Sequence, residues 1–115
     1  MNRADIVLIE FPFSDLSATK VRPALVVSSN QYMNNQQDAI FILISSNITN
    51  PQTTDILIDQ NNPEYLSTGL KVTSLIRVDK IVRLAKSLAT RRLGHLGNNS
   101  MAIVERILKN VLGLA

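Results

Sequence analysis

Residues 39–46 read Ala-Ile-Phe-Ile-Leu-Ile-Ser-Ser, the longest apolar run of the chain followed by two hydroxyl side chains. The run has the length of one β-strand and falls far short of the roughly 20 apolar residues of a membrane span. Its apolar residues are successive and do not alternate with polar ones, which is typical of a strand covered on both faces. The sequence therefore predicts a buried strand over Ala39–Ser45.

Shorter runs rich in Val, Ile and Leu lie on both sides of this strand, between clusters of Asn, Asp, Ser, Pro and Gly. This pattern is typical of β-strands joined by turns. The other predicted strands are Asp5–Phe11, Ala24–Ser28, Ile56–Asp59, Thr73–Val78 and Ile81–Ala85. So many short strands in 115 residues predict one mostly-β domain over residues 1–115, built as a small barrel or a strongly curved sheet.

Three segments depart from the β pattern and predict short helices. Asn30–Gln37 is polar and follows the second predicted strand, and Ser87–Leu93 follows the last one. The C-terminal segment has apolar residues at helical spacing, with Ser100 as the predicted N-cap and Gly113 as the predicted stop. We expect this last helix to pack on the sheet.

Composition and charge limit the classes of function. The chain has no cysteine, which excludes disulfides and thiolate metal sites. It shows neither a signal-peptide pattern nor a membrane span, so we expect a cytoplasmic protein without a membrane partner. Seven basic residues lie between Lys71 and Arg92, against the single acid Asp79. This asymmetry favours a polyanionic partner, and its alternative explanation is a solvated basic face.

The common catalytic and cofactor motifs are missing from the sequence. His95 is the single histidine, and the carboxylates show no metal-ligand spacing. Neither a phosphate-binding loop of the G-x-x-x-x-G-K-[ST] type nor a G-x-G-x-x-G turn occurs. We therefore expect no cofactor and no metal ion.

A set of arginines and hydroxyls is what the sequence offers for chemistry. Arg22 stands before Pro23, which favours an extended backbone at the start of an apolar strand. Its guanidinium matches a phosphate, although a surface ion pair is the alternative. Ser45 ends the most apolar strand, where polar residues line a site or simply begin a loop. Arg77 and Asp79 share one face of a strand and can pair there, either at a site or as a structural salt bridge.

Taken together, these segments resemble the PemK/MazF family of toxin endoribonucleases. The similarity runs through nearly the whole chain in the order of the family's motifs. The segments that carry it are Ala4–Phe13, Val21–Ser28 (Val-Arg-Pro-Ala-Leu-Val-Val-Ser), Ile42–Ser46, Gly69–Ser74, Ile76–Leu84 and Arg92–Leu96. Two positions depart from the family pattern: Ala4 replaces the opening glycine, and the loop before Arg22 lacks the histidine that some members use.

The resemblance implies a fold, partners and site residues. The fold is a compact SH3-like, MazF-type β-barrel with a C-terminal helix packed on it. The partners are single-stranded RNA, a cognate antitoxin and a second copy of the chain in a homodimer. By the same resemblance, the catalytic residues are Arg22, Ser45, Arg77 and Asp79. We also expect RNA to be bound by Phe11, Phe13, Lys20, Ser46 and Thr73.

The expected reaction is sequence-selective, metal-independent cleavage of mRNA. Attack by the RNA 2′-OH on the adjacent phosphorus leaves a 2′,3′-cyclic phosphate and a 5′-OH. Arg22 and Ser45 would stabilise charge on the phosphoryl oxygens, and Asp79 is a candidate base. Phe11, Phe13 and Tyr32 offer stacking surfaces. Two alternatives are a CcdB-like toxin that binds DNA gyrase and an RNA-binding barrel without catalysis.

Overall fold

A computed structural model describes residues 1–12 and 19–114. Within them lie six β-strands, which are β1 (Asp5–Pro12), β2 (Thr19–Val26), β3 (Asp38–Ser45), β4 (Asp55–Ile58), β5 (Ser74–Ala85) and β6 (Ala89–His95). All neighbouring strands pair antiparallel, in the order β4-β5-β3-β2-β1-β6. The mostly-β prediction is confirmed. The sheet is barrel-like without closing, because β4 and β6 are its edges and do not pair with each other in the described part of the chain.

The helices of the described residues are α1 (Asn30–Asn34), α2 (Tyr65–Thr68) and α3 (Asn98–Leu112), with a 3₁₀ turn at Lys86–Leu88. The predicted helix over Asn30–Gln37 is confirmed in a shorter form, and α2 was not predicted. Among these helices, none has the length and apolar character that crossing a membrane requires.

Strand β3 supplies side chains to two separate hydrophobic clusters. Ala39 and Phe41 pack in one cluster with β1 and β2 residues, while Ile42 and Ile44 pack in the other with residues of α3. Each of these four side chains is at most 1% exposed. Burial of each of the larger ones, Phe41, Ile42 and Ile44, contributes about 1.5–3 kcal/mol to the stability of the fold. The prediction that this strand is covered on both faces is confirmed.

The pairing of β3 with β5 contains a bulge. Ile42 pairs with Ile81, and the next residue, Leu43, pairs with Arg77, so residues 78–80 have no partner on β3. The two strands predicted over Thr73–Val78 and Ile81–Ala85 are therefore one strand interrupted by this bulge. Asp79 and Lys80, the two polar residues inside the bulge, separate the two apolar runs in the sequence.

The predicted helix over Ser87–Leu93 is wrong. After the 3₁₀ turn, the segment forms β6, which pairs with β1 along the edge of the sheet. Thr90, Arg91 and Arg92 are exposed, as is common on an edge strand, and this polar composition hid the strand in the sequence. The pairing with β1 is a tertiary contact that decides the local structure.

Helix α3 begins at Asn98, so Ser100 is not its N-cap as predicted. The Glu64 carboxylate instead accepts the N–H groups of Asn99 (3.1 Å) and Ser100 (2.9 Å) and the Ser100 hydroxyl. The hydroxyl is the largest influence that lowers the pKa of Glu64, and the two N–H groups lower it further. A Cβ at Gly97 would lie 2.1 Å from Glu64 Oε2, so glycine permits this approach. The predicted stop at Gly113 is confirmed, with φ 71°.

Replacing Glu64 by Gln should destabilise the fold by about 1 kcal/mol at neutral pH, because the helix N-terminus loses a charged acceptor. Since the folded-state pKa lies below 4.5, this contribution is complete above that pH and is lost as the pH falls through the folded-state pKa. Urea unfolding of both proteins across this range measures the difference. Glu105→Gln, which removes an exposed ion pair with Arg3, is the control and should change stability little. Equal stability of Glu64→Gln and the unsubstituted protein at neutral pH would contradict the assignment.

Candidate functional site

Strand register brings distant residues onto one face of the sheet. Arg77 on β5 is directly opposite Leu43 on β3, and Leu43 is directly opposite Ala24 on β2. Paired residues point to the same side, and so do residues two apart on one strand. Arg22 therefore shares this face with Ala24, and Ser45 shares it with Leu43. The sheet itself gathers two arginines and a hydroxyl from three strands.

A cavity of about 470 Å³ lies over this part of the sheet. It is named the basic cavity here, and its walls combine four cationic side chains, one aromatic ring, a hydroxyl, an amide and two apolar side chains. They belong to Phe11, Lys20, Arg22, Leu43, Ile44, Ser45, Asn47, Arg77 and Lys80. No carboxylate of the described residues lines it. Such a surface is suited to an anion that carries an apolar or aromatic part.

Ser45 is held in place by the turn that follows β3. Its Oγ accepts the N–H of Asn47 at 3.1 Å, and the Asn47 side chain in turn accepts the N–H (3.1 Å) and the hydroxyl (2.7 Å) of Thr49. The Ser45 hydroxyl proton is not used in this turn. It is available to donate a hydrogen bond into the basic cavity, as an oxyanion acceptor would require.

A second cavity of about 390 Å³ adjoins the first one. Arg22 lines both, whereas Ser45 lines the first and Ser46 the second. The second cavity is largely apolar, with Lys71 and Arg91 among its lining residues. The predicted neighbours Ser45 and Ser46 thus belong to two different cavities.

Several predicted site residues are not brought into the basic cavity. Asp79 lies in the β5 bulge, is exposed and lines neither of the two cavities. Thr73 is half-buried and also lies outside both linings. Tyr32 packs against the cluster that contains Phe41. Phe13, predicted to bind RNA, lies outside the described residues.

Arg77 does not pair with Asp79, as the two residues could in a regular strand. Arg77 faces Asp55 of the neighbouring strand β4, and its Nη1 lies 3.6 Å from Asp55 Oδ2. In the sequence, Asp55 is one of several scattered carboxylates, and its distance of 22 positions from Arg77 hides the pairing. Only the β4–β5 ladder makes them neighbours. The sequence signal that was available is the position of Asp55 directly before the apolar run Ile56–Ile58.

The described residues hold no group of three or more His, Cys, Asp or Glu side chains arranged to bind a metal ion. The chain forms a small antiparallel β-domain with a cavity lined by four cationic side chains. The family model described as a PemK-like, MazF-like toxin of a type II toxin–antitoxin system matches residues 2–112. The chain belongs to this family.

Solved structures share the fold. An endoribonuclease in complex with its cognate antitoxin from a mycobacterial species is 21% identical, with a TM-score of 0.74 over 100% of this chain and 97% of that one. MazF from Deinococcus radiodurans is 19% identical, with a TM-score of 0.77 over 99% and 97%. The Mycobacterium tuberculosis toxin MazF-mt6 is 15% identical, with a TM-score of 0.76 over 96% and 98%. No curated protein matches the sequence.

Binding of a single-stranded oligodeoxynucleotide should weaken as salt is raised, because cations of the basic cavity release counterions from the phosphates. Lys80→Ala should weaken binding and reduce the slope of log affinity against log salt by about 1. Fluorescence anisotropy over a salt series measures both quantities. Lys109→Ala, at an exposed lysine in the last turn of α3, is the control and should leave both unchanged. Equal salt slopes for Lys80→Ala and Lys109→Ala would argue against phosphate binding in the cavity.

Proposed function

We propose that this protein is the toxin of a toxin–antitoxin pair and acts as an endoribonuclease on single-stranded RNA, mRNA in particular. Membership of the PemK/MazF-like toxin family supports the proposal, as do structural neighbours that are named endoribonucleases. The observation that carries it is the meeting of Arg22, Ser45 and Arg77 in one basic cavity. These three side chains come from three strands, and all can contact a phosphodiester.

The proposed reaction is an internal transfer that needs no metal ion. The 2′-oxygen forms a bond to the adjacent phosphorus while the bond from phosphorus to the 5′-oxygen breaks. The 2′-OH loses its proton, the 5′-oxygen gains one, and the products are a 2′,3′-cyclic phosphate and a 5′-OH. Since RNA supplies the nucleophile, the protein has to align the strand and stabilise charge on the phosphoryl oxygens.

The side chains of the basic cavity divide this work according to their chemistry. Arg22 and Arg77 hold and neutralise the phosphoryl oxygens, for which a planar guanidinium is well matched. Because arginine has a pKa above about 12, neither acts as a proton acceptor at neutral pH. Ser45 donates a hydrogen bond to one phosphoryl oxygen from its fixed position.

Other residues of the two cavities bind the flanking nucleotides. Lys20 and Lys80 attract the neighbouring phosphates, and the Phe11 ring offers a stacking surface for an unpaired base. Arg22 lines both cavities, so an RNA strand that contacts Arg22 can continue from the basic cavity into the second cavity, which Ser46 lines. Base selection follows from contacts along this path.

We further propose that the protein acts in the cytoplasm as a homodimer and is neutralised by a cognate antitoxin. Complexes of MazE with MazF and of a mycobacterial endoribonuclease with its antitoxin are the relevant relatives. An acidic antitoxin segment would complement the four cations of the basic cavity and exclude RNA from it.

Arg22→Ala should lower the cleavage rate of a defined RNA by roughly 10²–10³-fold, as removal of one oxyanion-stabilising group does elsewhere. Arg22 is exposed, so the fold should persist. Cleavage by the unsubstituted protein should continue in excess EDTA, and analysis of the product ends should find 2′,3′-cyclic phosphates. RNA with 2′-deoxyribose at the cleavage position should bind and stay intact.

Arg106→Ala, at an exposed arginine of α3, is the matched control and should cleave like the unsubstituted protein. Full activity of Arg22→Ala would overturn the site assignment. RNA that is bound in a salt-dependent way and never cut would point to a non-catalytic RNA-binding barrel. Naked RNA that is neither bound nor cut would point to a toxin that acts on a protein, as gyrase poisons do.

Ser45→Ala should reduce the rate of the chemical step by roughly 10²-fold, because one donor to the phosphoryl oxygen is lost. RNA affinity should change little, since the four cations remain. Single-turnover kinetics separate the two quantities. Ser87→Ala, at an exposed serine outside both cavities, is the control. A loss confined to affinity would contradict the role given to the Ser45 hydroxyl.

A further inference from the structure

A buried carboxylate lies on β4, beside the strand that carries Arg77 into the basic cavity. The Asp55 side chain is 1% exposed, and it faces Arg77, whose side chain is 19% exposed. Their contact crosses the β4–β5 ladder, where the two residues are directly paired. Arg77 thus has one side toward a buried anion and the other toward the basic cavity.

The hydrogen bonding of Asp55 is incomplete. Its Oδ2 accepts the N–H of Gln52 at 2.7 Å. Its Oδ1 is buried and has no hydrogen-bond partner among the described residues. A guanidinium that served only to neutralise this carboxylate would contact both oxygens in the bidentate geometry typical of such pairs. Instead Arg77 Nη1 stays 3.6 Å from Oδ2. Its donors therefore remain available to a ligand in the cavity.

The charges around Arg77 explain why a buried carboxylate next to it matters for its position. Lys20, Arg22 and Lys80 line the same cavity and repel the guanidinium. Without a counter-charge beside it, Arg77 would turn away from the other cations toward solvent. Asp55 attracts it from the neighbouring strand β4, and because this carboxylate is buried, water screens the interaction little.

We propose that Asp55 is a positioning residue for RNA cleavage: it holds the Arg77 guanidinium at the wall of the basic cavity, aimed at the phosphate. The inference rests on the proposed function for its catalytic consequence. Asp55 does not line the cavity and does not touch the substrate; it acts through Arg77.

The same strand β5 offers a matched control. Arg83 pairs with Asp38 of β3 at 2.9 Å; the Arg83 side chain is largely exposed, at 60%, and that of Asp38 is partly exposed, at 32%. Neither residue lines the two cavities. Asp38→Asn thus removes a carboxylate from an arginine of the same strand without touching the site, and exposed pairs of this kind contribute little to stability.

Asp55→Asn removes the charge while its side-chain oxygen can still accept the Gln52 N–H. We expect kcat to fall by about 10- to 100-fold, as a misplaced catalytic group does, with KM changed much less. Asp38→Asn should cleave like the unsubstituted protein. Thermal unfolding followed by circular dichroism checks that each variant is folded. If Asp55→Asn does not fold, Asp55→Glu, which keeps the charge and displaces it by one methylene, should show the same loss in kcat.

A double-mutant cycle separates positioning from a general structural effect. In an Arg77→Ala background, Asp55→Asn should cause no further loss of kcat, because its partner is already gone. If the decreases in kcat caused by Arg77→Ala and Asp55→Asn multiply in the double variant, the inference is overturned. It is also overturned if Asp55→Asn and Asp55→Glu both cleave at the full rate. The proposed function stands in either case.

A measurement on the side chain tests the positioning without any cleavage. The ¹⁵N relaxation of the Arg77 Nε–H in the unsubstituted protein should report an ordered guanidinium, and this order should be lost in Asp55→Asn. The Arg83 Nε–H signal should be the same in Asp55→Asn and in the unsubstituted protein, because Arg83 pairs with Asp38 and not with Asp55. An equally ordered Arg77 in both proteins would overturn the inference. Absence of cleavage by the unsubstituted protein would instead overturn the proposed function.

Discussion

The register change between β3 and β5 is the constraint on which the site depends. Ile42 and Leu43 are adjacent on β3, but their partners Ile81 and Arg77 are four positions apart on β5. The bulge allows Arg77 to share a face with Leu43 and Ser45 and carries Lys80 to the rim of the same cavity. A regular ladder would place other β5 residues beside Ser45. β-Bulges commonly aim side chains at functional sites in this way.

The two hydrophobic clusters hold this register in place. Ala39 and Phe41 are buried on one side of β3, and Ile42 and Ile44 on the other, so a slip by one residue would expose apolar side chains on both faces. The strand that presents Ser45 is therefore among the most strongly specified parts of the molecule. The proposed role of the Ser45 hydroxyl requires precise placement, which the end of such a strand provides.

Electrostatics adds the second requirement. Four cations around one cavity attract anions and repel each other, and the described lining contains no acid. A compensating charge comes from the buried Asp55, which lies 3.6 Å from Arg77 on the neighbouring strand and outside the cavity lining. The cavity thus keeps its positive potential for a polyanion while one of its cations has a defined place. The Asp38–Arg83 pair, which joins β3 to β5, lies outside both cavities.

The amino-acid sequence by itself determined the strand over Ala39–Ser45, because a run of apolar residues favours a buried strand wherever it packs. It also determined the extended backbone at Arg22, because Pro23 restricts the residue that precedes it. It also carried the family resemblance, which the matching family model over residues 2–112 confirms. Edge strand β6 was mistaken for a helix, since its exposed polar residues form a strand only through pairing with β1. Asp55 as the partner of Arg77, and the exclusion of Asp79 and Thr73 from the cavity, were decided by the tertiary structure alone. Which residues face each other across a ladder depends on register and bulges, and these follow from packing between segments that are distant in the chain.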